Sequence, residues 1–357
     1  MSHVQIENVT KRFGGATAVR NLSLDIADGE FFVLLGPTGA GKTTTLRLIA
    51  GLEKPNEGTI RIDGEDVSGW SAAERDVALV FQYYSLYPRY TVRQNLEFPL
   101  KSRVRNYSRA EIDQRVERAA KTLRITHLLE RKTDKLSGGE MQRVSIGRAI
   151  VRQPRAFLMD EPLSNLDAKL REALRAELKD LQMSLGATFL FVTHDQIEAM
   201  SMGDKIGVLN QGRVVQIGTP QEIYNRPHDT FVAAFVGSPA MNLMPGEIKD
   251  GAVSAIAGKV RIGRQDLAAA ANNGPITLGI RSEDVRVGDG QPVAAKVHHV
   301  ENHGVEQIVT LRVDGVLLKA TVPATVPMAI EDSVNFGLDP AKIHCFQGSS
   351  GVNLTAI

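Results

Sequence analysis

The chain has little of several things that would point to other functions. It holds a single cysteine, Cys345, which excludes an internal disulfide and a cysteine-based zinc site. No apolar run approaches the roughly 20 residues that a membrane-spanning helix needs. Charge of one sign is missing as well: 42 Lys and Arg stand against 41 Asp and Glu, a net of +1. That balance argues against nucleic acid as a partner held by a general positive field. Aromatics make up 5% of the chain, so the stretch Tyr83 to Tyr90, dense in them, stands out as a candidate contact surface. Met1-Ser2-His3-Val4 runs directly into a strand-like stretch with no secretion signal before it. These absences lead us to expect a soluble, cytoplasmic protein. Its 357 residues exceed one ordinary domain and suit two.

What is there begins with Gly36-Pro37-Thr38-Gly39-Ala40-Gly41-Lys42-Thr43, followed by Thr44. It fits Gly-x-x-x-x-Gly-Lys-Ser/Thr, a loop whose backbone N–H groups cradle phosphate. The context is right. Phe31 to Leu35 is a continuous apolar run, as in a buried parallel strand. Lys42 to Leu52 carries Leu46, Ile49 and Ala50 at helical spacing, and a helix N-terminus favours anions. Lys42 should reach the β- and γ-phosphates of ATP, with the Thr43 hydroxyl on Mg²⁺. A second apolar strand, Ala156 to Met159, ends at Asp160 and Glu161. Asp160 is placed to hold Mg²⁺, and Glu161 to act as general base on the attacking water. Alone, an Asp-Glu pair before Pro162 is as easily a solvated strand end. A third device is Leu136-Ser137-Gly138-Gly139-Glu140, which opens a helix expected to run to Arg152 and points free N–H groups at an anion.

The order of these motifs resembles the ATP-binding-cassette ATPases over about residues 3 to 235. Leu136 to Glu140 matches that family's signature, except that glutamine is commoner at Glu140. The resemblance implies that Ser137, Gly138 and Gly139 of one subunit read the γ-phosphate held by the other. It implies that Gln82 links Mg²⁺ and the water to a transporter partner, and that His194 is the switch histidine beside Glu161. Asp167 falls in the loop that crosses the dimer interface. Phe13 falls where the family sets an aromatic ring against adenine. Standing alone, a Gln or His is usually a surface or capping residue, and a Phe usually core.

The fold expected is α/β: a P-loop, RecA-like ATPase core over 1–236, with a helical subdomain at about 88–153. Within the latter, Ser108-Arg109-Ala110-Glu111 reads as a capping box, followed by the face Ile112, Val116, Ala119 and Leu123. Ala168 to Leu185 reads as an amphipathic helix, and Lys205 to Ile217 as a hairpin around Asn210-Gln211-Gly212. From about Ser238 short alternating runs take over, at Ala294–Val300, Gln307–Val313 and Val316–Val322. They predict a mostly β domain over 237–357. It resembles the OB-type regulatory domain of importers of the maltose kind, in Gly237–Leu243, Leu278–Asp284 and Gly337–Lys342.

The resemblance therefore implies the ATP-hydrolysing subunit of a bacterial importer of a carbohydrate or polyol derivative. A polyamine, iron or sulfate importer is the alternative within the class, and a soluble non-transport ATPase the alternative outside it. The implied assembly is a homodimer with two permease subunits and, through them, an external solute-binding protein, at the cytoplasmic face of the cell membrane. No long coiled-coil insertion and no second cassette are present to favour the soluble alternative.

Overall fold

The computed structural model describes residues 2–102, 106–249, 251–263 and 274–355. Met1 lies outside them, as do the last two residues of the expected second domain, but every candidate site residue lies within. The chain forms two compact units, Met1–Pro220 and Gln221–Ile357.

In chain order the first unit runs β1 (Val4–Phe13), β2 (Ala16–Ile26), β3 (Phe31–Leu35), α1 (Lys42–Ala50), β4 (Glu57–Ile62), β5 (Glu65–Asp66) and β6 (Ala78–Val80). Then come α2 (Val92–Glu97), α3 (Arg109–Thr122), α4 (Gly138–Ile150), β7 (Ala156–Asp160), α5 (Ala168–Leu185), β8 (Thr188–Thr193), α6 (Gln196–Met202), β9 (Lys205–Asn210) and β10 (Arg213–Gly218). A six-stranded sheet in the order β10-β9-β3-β8-β7-β6 is parallel apart from the β10 edge. All five residues of β3 are buried, because a central parallel strand is covered on both faces. A four-stranded antiparallel sheet, β2-β1-β4-β5, shares a core with α1 through Val4, Ile6, Leu24, Ile60, Leu46 and Ile49.

The helices follow their sequence signals closely, and their ends less so. Ser108 and Glu111 form the expected capping box, with Ile112, Val116 and Ala119 buried on one face. Two further boxes, Thr91 with Gln94 and Ser137 with Glu140, start α2 and α4. α4 stops at Ile150, short of Arg152, ahead of Pro154. The strand that leads to Gln82 is Ala78–Val80, and Phe81 is exposed. α5 spans Ala168–Leu185 as read, burying Leu174, Leu178 and Leu181, and Gly186 at φ 57 ends it. β9 and β10 form the expected hairpin, with Gln211 and Gly212 both at positive φ, as a tight two-residue hairpin turn requires. No helix among the described residues is long and apolar enough to cross a membrane.

The second unit carries α7 (Pro220–Asn225), α8 (Thr230–Phe235), β11 (Asn242–Lys249), β12 (Ala252–Ala255), β13 (Val260–Gly263), β14 (Gly274–Ile280), β15 (Val285–Val287), β16 (Val293–Asn302), β17 (Glu306–Val313), β18 (Val316–Pro323), β19 (Ser333–Leu338) and β20 (His344–Gln347). They build two five-stranded sheets, β13-β12-β11-β14-β20 and β15-β19-β16-β17-β18. Both sheets feed one core, from Met244, Leu278 and Cys345 to Val297, Leu311 and Phe336, so the unit is the mostly β, barrel-like domain expected. Arg281, almost fully buried, ties its helical start to β14 by donating to Tyr224 O at 2.7 Å and to Val236 O. Tyr224 donates to Glu283 at 2.5 Å. Burial, and then that bond, push its hydroxyl up to about 12.

Candidate functional site

Three strand ends of the parallel sheet converge on one point. β3 leads into the phosphate loop, β7 ends at Asp160 and Glu161, and β8 ends beside His194. Ligands of open α/β sheets bind outside the carboxyl ends of the strands.

The loop is shaped by close packing. A side chain at Gly36 would collide with the Leu209 carbonyl. At Gly41 the backbone sits at φ 105, and a β-carbon would lie 2.5 Å from Ala18 O. Lys42 is buried, and its ammonium donates to Gly36 O at 2.8 Å and Pro37 O at 3.0 Å. The Nζ also lies 3.6 Å from Glu161 Oε1. Burial pulls the Lys42 pKa down, and the Glu161 and Asp160 carboxylates oppose that pull. Thr43 donates to Asp160 Oδ1 at 2.9 Å. Burial raises the Asp160 pKa, against the stabilising Thr43 bond. A hydroxyl and a carboxylate facing each other in this way suit a small hard cation such as Mg²⁺, which completes its shell with water and phosphate oxygens. The described residues contain no cluster of three or more His, Cys, Asp or Glu able to hold a metal alone.

Glu161 sits at φ 45, a conformation costly for a residue with a β-carbon. Its N–H is held by Val192 O at 3.0 Å, which fixes the turn out of the sheet. Its Oε2 lies 2.8 Å from His194 Nδ1, so a ring protonated at Nδ1 donates to the carboxylate. Gln82 donates to Ser164 Oγ at 3.3 Å, and its carbonyl accepts from Asn165 at 2.9 Å. Asp167 caps α5 by accepting from the Leu170 N–H at 3.0 Å.

Lys42, Thr43, Asp160, Glu161 and His194 thus form one connected cluster, with Gln82 tied to the segment that follows it. Ser137, Gly138, Gly139 and Phe13 share no hydrogen bond or ion pair with that cluster. Ser137 is exposed at the α4 N-terminus, where Glu140 Oε2 accepts from its N–H at 2.8 Å and its hydroxyl at 2.9 Å. Those bonds, chiefly the backbone one, hold the Glu140 carboxyl below its usual range. Gly139 is buried, and a β-carbon there would lie 2.7 Å from Leu170 Cδ2. Phe13 is 45% exposed at the tip of the β1–β2 hairpin, with Lys11 Nζ 4.7 Å from the ring centroid.

Sequence reasoning missed the supports. Thr193 donates to buried Glu198 at 2.6 Å, Asp195 caps α6 through the Ile197 N–H at 2.7 Å, and Arg171 reaches Asp195 at 3.3 Å. Together they anchor the backbone on either side of His194. The Asp195–Glu198 spacing was a visible capping signal; the Arg171 contact, from another helix, was not.

The family model "ABC transporter" matches residues 19–164, "MalK OB fold domain" matches 237–285 and "TOBE domain" matches 278–346. The trehalose/maltose import ATP-binding protein MalK of Thermococcus litoralis is 47% identical, over 98% of this chain and 99% of its own. The sn-glycerol-3-phosphate import ATP-binding protein UgpC of Brucella abortus is 46% identical over the same shares. Among solved structures, a dimeric post-hydrolysis state of the ATP-binding cassette MJ0796, bound to ADP and Pi, aligns with TM-score 0.54. It is 35% identical and covers 61% of this chain and 98% of its own. A chain that matches such relatives from end to end, with a phosphate loop and two carboxylates at one sheet edge, belongs to the ABC transporter family and is one of its nucleotide-binding ATPases.

Proposed function

We infer that this chain energises uptake of a carbohydrate or polyol derivative by hydrolysing ATP beneath two permease subunits, as a homodimer. The observation that carries the chemistry is Glu161, held between the Lys42 ammonium and His194 at the end of β7. The solute class rests on relatives named for trehalose, maltose and glycerol phosphate import. The external solute-binding protein and the cytoplasmic face of the membrane follow from that class.

In this reading the loop N–H groups and Lys42 hold the β- and γ-phosphates of ATP. Thr43 and Asp160, with Gln82, would hold Mg²⁺, which when bound would supply positive charge to the phosphate oxygens. Glu161 accepts the proton of a water that attacks the γ-phosphorus, and the bond to the ADP oxygen breaks. His194 Nδ1–H keeps the Glu161 carboxylate aimed. Phe13 lies against adenine. Ser137, Gly138 and Gly139 read the γ-phosphate of the partner's ATP, and Asp167 lies at that interface.

Reconstitution with sugar-type permeases tests the reading: solute uptake should require ATP and this chain. The permease contact is assigned to the segment after Gln82. Tyr87 is half-buried there. Its ring centroid lies 4.5 Å from that of Phe98, and Arg148 sits 4.9 Å above it, so charging Tyr87 would disturb folding. Tyr83 is 74% exposed, and Leu86 is half-buried. Leu86→Glu is expected to leave folding and ATPase activity of the isolated chain intact while lowering solute uptake at least tenfold. Normal uptake and normal assembly would place the permease contact elsewhere.

A further inference from the structure

A cavity of about 510 Å³ lies at the far end of β7 from Asp160, within the usual size range of small-molecule pockets. It shares no residue with the phosphate site. β7 has five residues, so the two places are separated by roughly 13 Å of strand. The lining comes from α3, the end of α4, the loop into β7, and the end of α5. Part of it is apolar, with Phe157 buried and Leu185 half-buried. Three arginines, Arg115, Arg118 and Arg155, also line it.

The arginines are not equally matched. Arg155 pairs with Asp63 at 3.0 Å and Glu65 at 3.2 Å. Arg115 and Arg118 form no ion pair among the described residues. Arg115 is nonetheless held in place: it donates to Gln153 Oε1 at 2.8 Å, and its guanidinium lies 4.4 Å from the Tyr107 ring centroid. Glu111, one turn earlier on the same helix, is turned back on Ser108, accepting from its N–H at 2.7 Å. Asp63, held by Arg155, also lines the cavity, and Glu111 acts on Arg115 only at longer range, so two guanidiniums stand beside an apolar wall with no carboxylate within ion-pair distance of either among the described residues. Their joint charge matches a phosphate monoester, which carries about −1.5 to −2 at neutral pH, and their planar forks suit its oxygens.

We propose that this cavity is a binding site for a small phosphate monoester with an apolar body, held by Arg115 and Arg118. A ligand there touches both α3 and the α5–β7 side of the cavity, so it braces the helical segment against the sheet. α4, which ends at the cavity, starts at Ser137 thirteen residues away, so bracing acts on the placement of the signature.

The test is calorimetric titration of the full chain with 1-naphthyl phosphate, with Mg·ADP at saturation. One probe per chain is expected, with affinity unchanged by ADP and about tenfold or more above that of inorganic phosphate, which has no apolar body. Arg118→Gln should weaken the probe about tenfold, as for loss of one charge-assisted bond, and Arg115→Gln with Arg118→Gln should abolish it. Arg118 is exposed, so its single variant keeps the test open if the double variant fails to fold. Ser184→Trp, which narrows the cavity and leaves both arginines, should also abolish binding. Absence of binding, displacement by ADP, or equal affinity in the arginine variants overturns the proposal. Hydrogen exchange in α3 should slow on binding; unchanged exchange removes the brace.

Discussion

Glu161→Gln is expected to bind ATP as the wild type does and to hydrolyse it roughly 10²–10⁴-fold more slowly, the usual range for loss of a general base. That range corresponds to about 3–5 kcal/mol of transition-state stabilisation. The amide keeps the length and shape of the side chain and can still meet His194, which lies 2.8 Å from Oε2. It cannot accept the proton of the attacking water. The ATP-bound dimer should therefore accumulate, visible by size-exclusion chromatography as a stable species retaining ATP. Turnover within a few-fold of wild type would remove Glu161 as the base. The left-handed backbone at Glu161, φ 45, is unchanged by this substitution, so a folding defect should not confuse the result.

Lys42→Ala should fail at the previous step. Among the described residues Lys42 is the one ammonium within reach of the loop carbonyls and of Glu161. Removing it leaves the phosphates without their cation, and charge-assisted hydrogen bonds are each worth about 1.5–3 kcal/mol. ATP affinity should fall roughly 10–100-fold, measured by equilibrium binding of a fluorescent ATP analogue. The two variants thus separate binding from chemistry. Unchanged affinity in Lys42→Ala would mean that the loop holds phosphate by its backbone alone.

Much of this site was legible because its parts are local. The phosphate loop lies between an apolar strand and a helix, and each element carries its own pattern. The same holds for β7 ending at Asp160, and for α5, whose leucine stripe and Gly186 cap both lie in one segment. The α4 start was read as an anion site, but its capping box went unread, although Ser137-x-x-Glu140 has the same form as Ser108-x-x-Glu111. Glu140, which stands where the signature more often has glutamine, bends back on Ser137. What stayed illegible depends on contacts between distant segments. Gly139 is glycine partly because Leu170 of α5 packs on it. Arg171 reaches Asp195 from another helix. That Arg115 and Arg118 line one cavity with Phe157 emerges only when α3 is laid beside β7. Periodicity reports the face a segment buries, not which segment it is buried against.

The central claim is that each nucleotide is held by two copies of this chain, the phosphate loop of one and the signature helix of the other. Ser137 is exposed, and the α4 start makes no bond to the phosphate cluster of its own chain, as such a clamp requires. The direct measurement is the number of ATP molecules retained by an isolated mixed dimer, one chain carrying Lys42→Ala and the other Ser137→Arg, both carrying Glu161→Gln to block turnover. If the site is completed in trans, one interface collects both lesions and the other none, so about one ATP per dimer is retained with affinity near that of the dimer carrying Glu161→Gln alone. If each chain completes its own site, both sites are damaged, and a dimer that retains no tightly bound ATP contradicts the account.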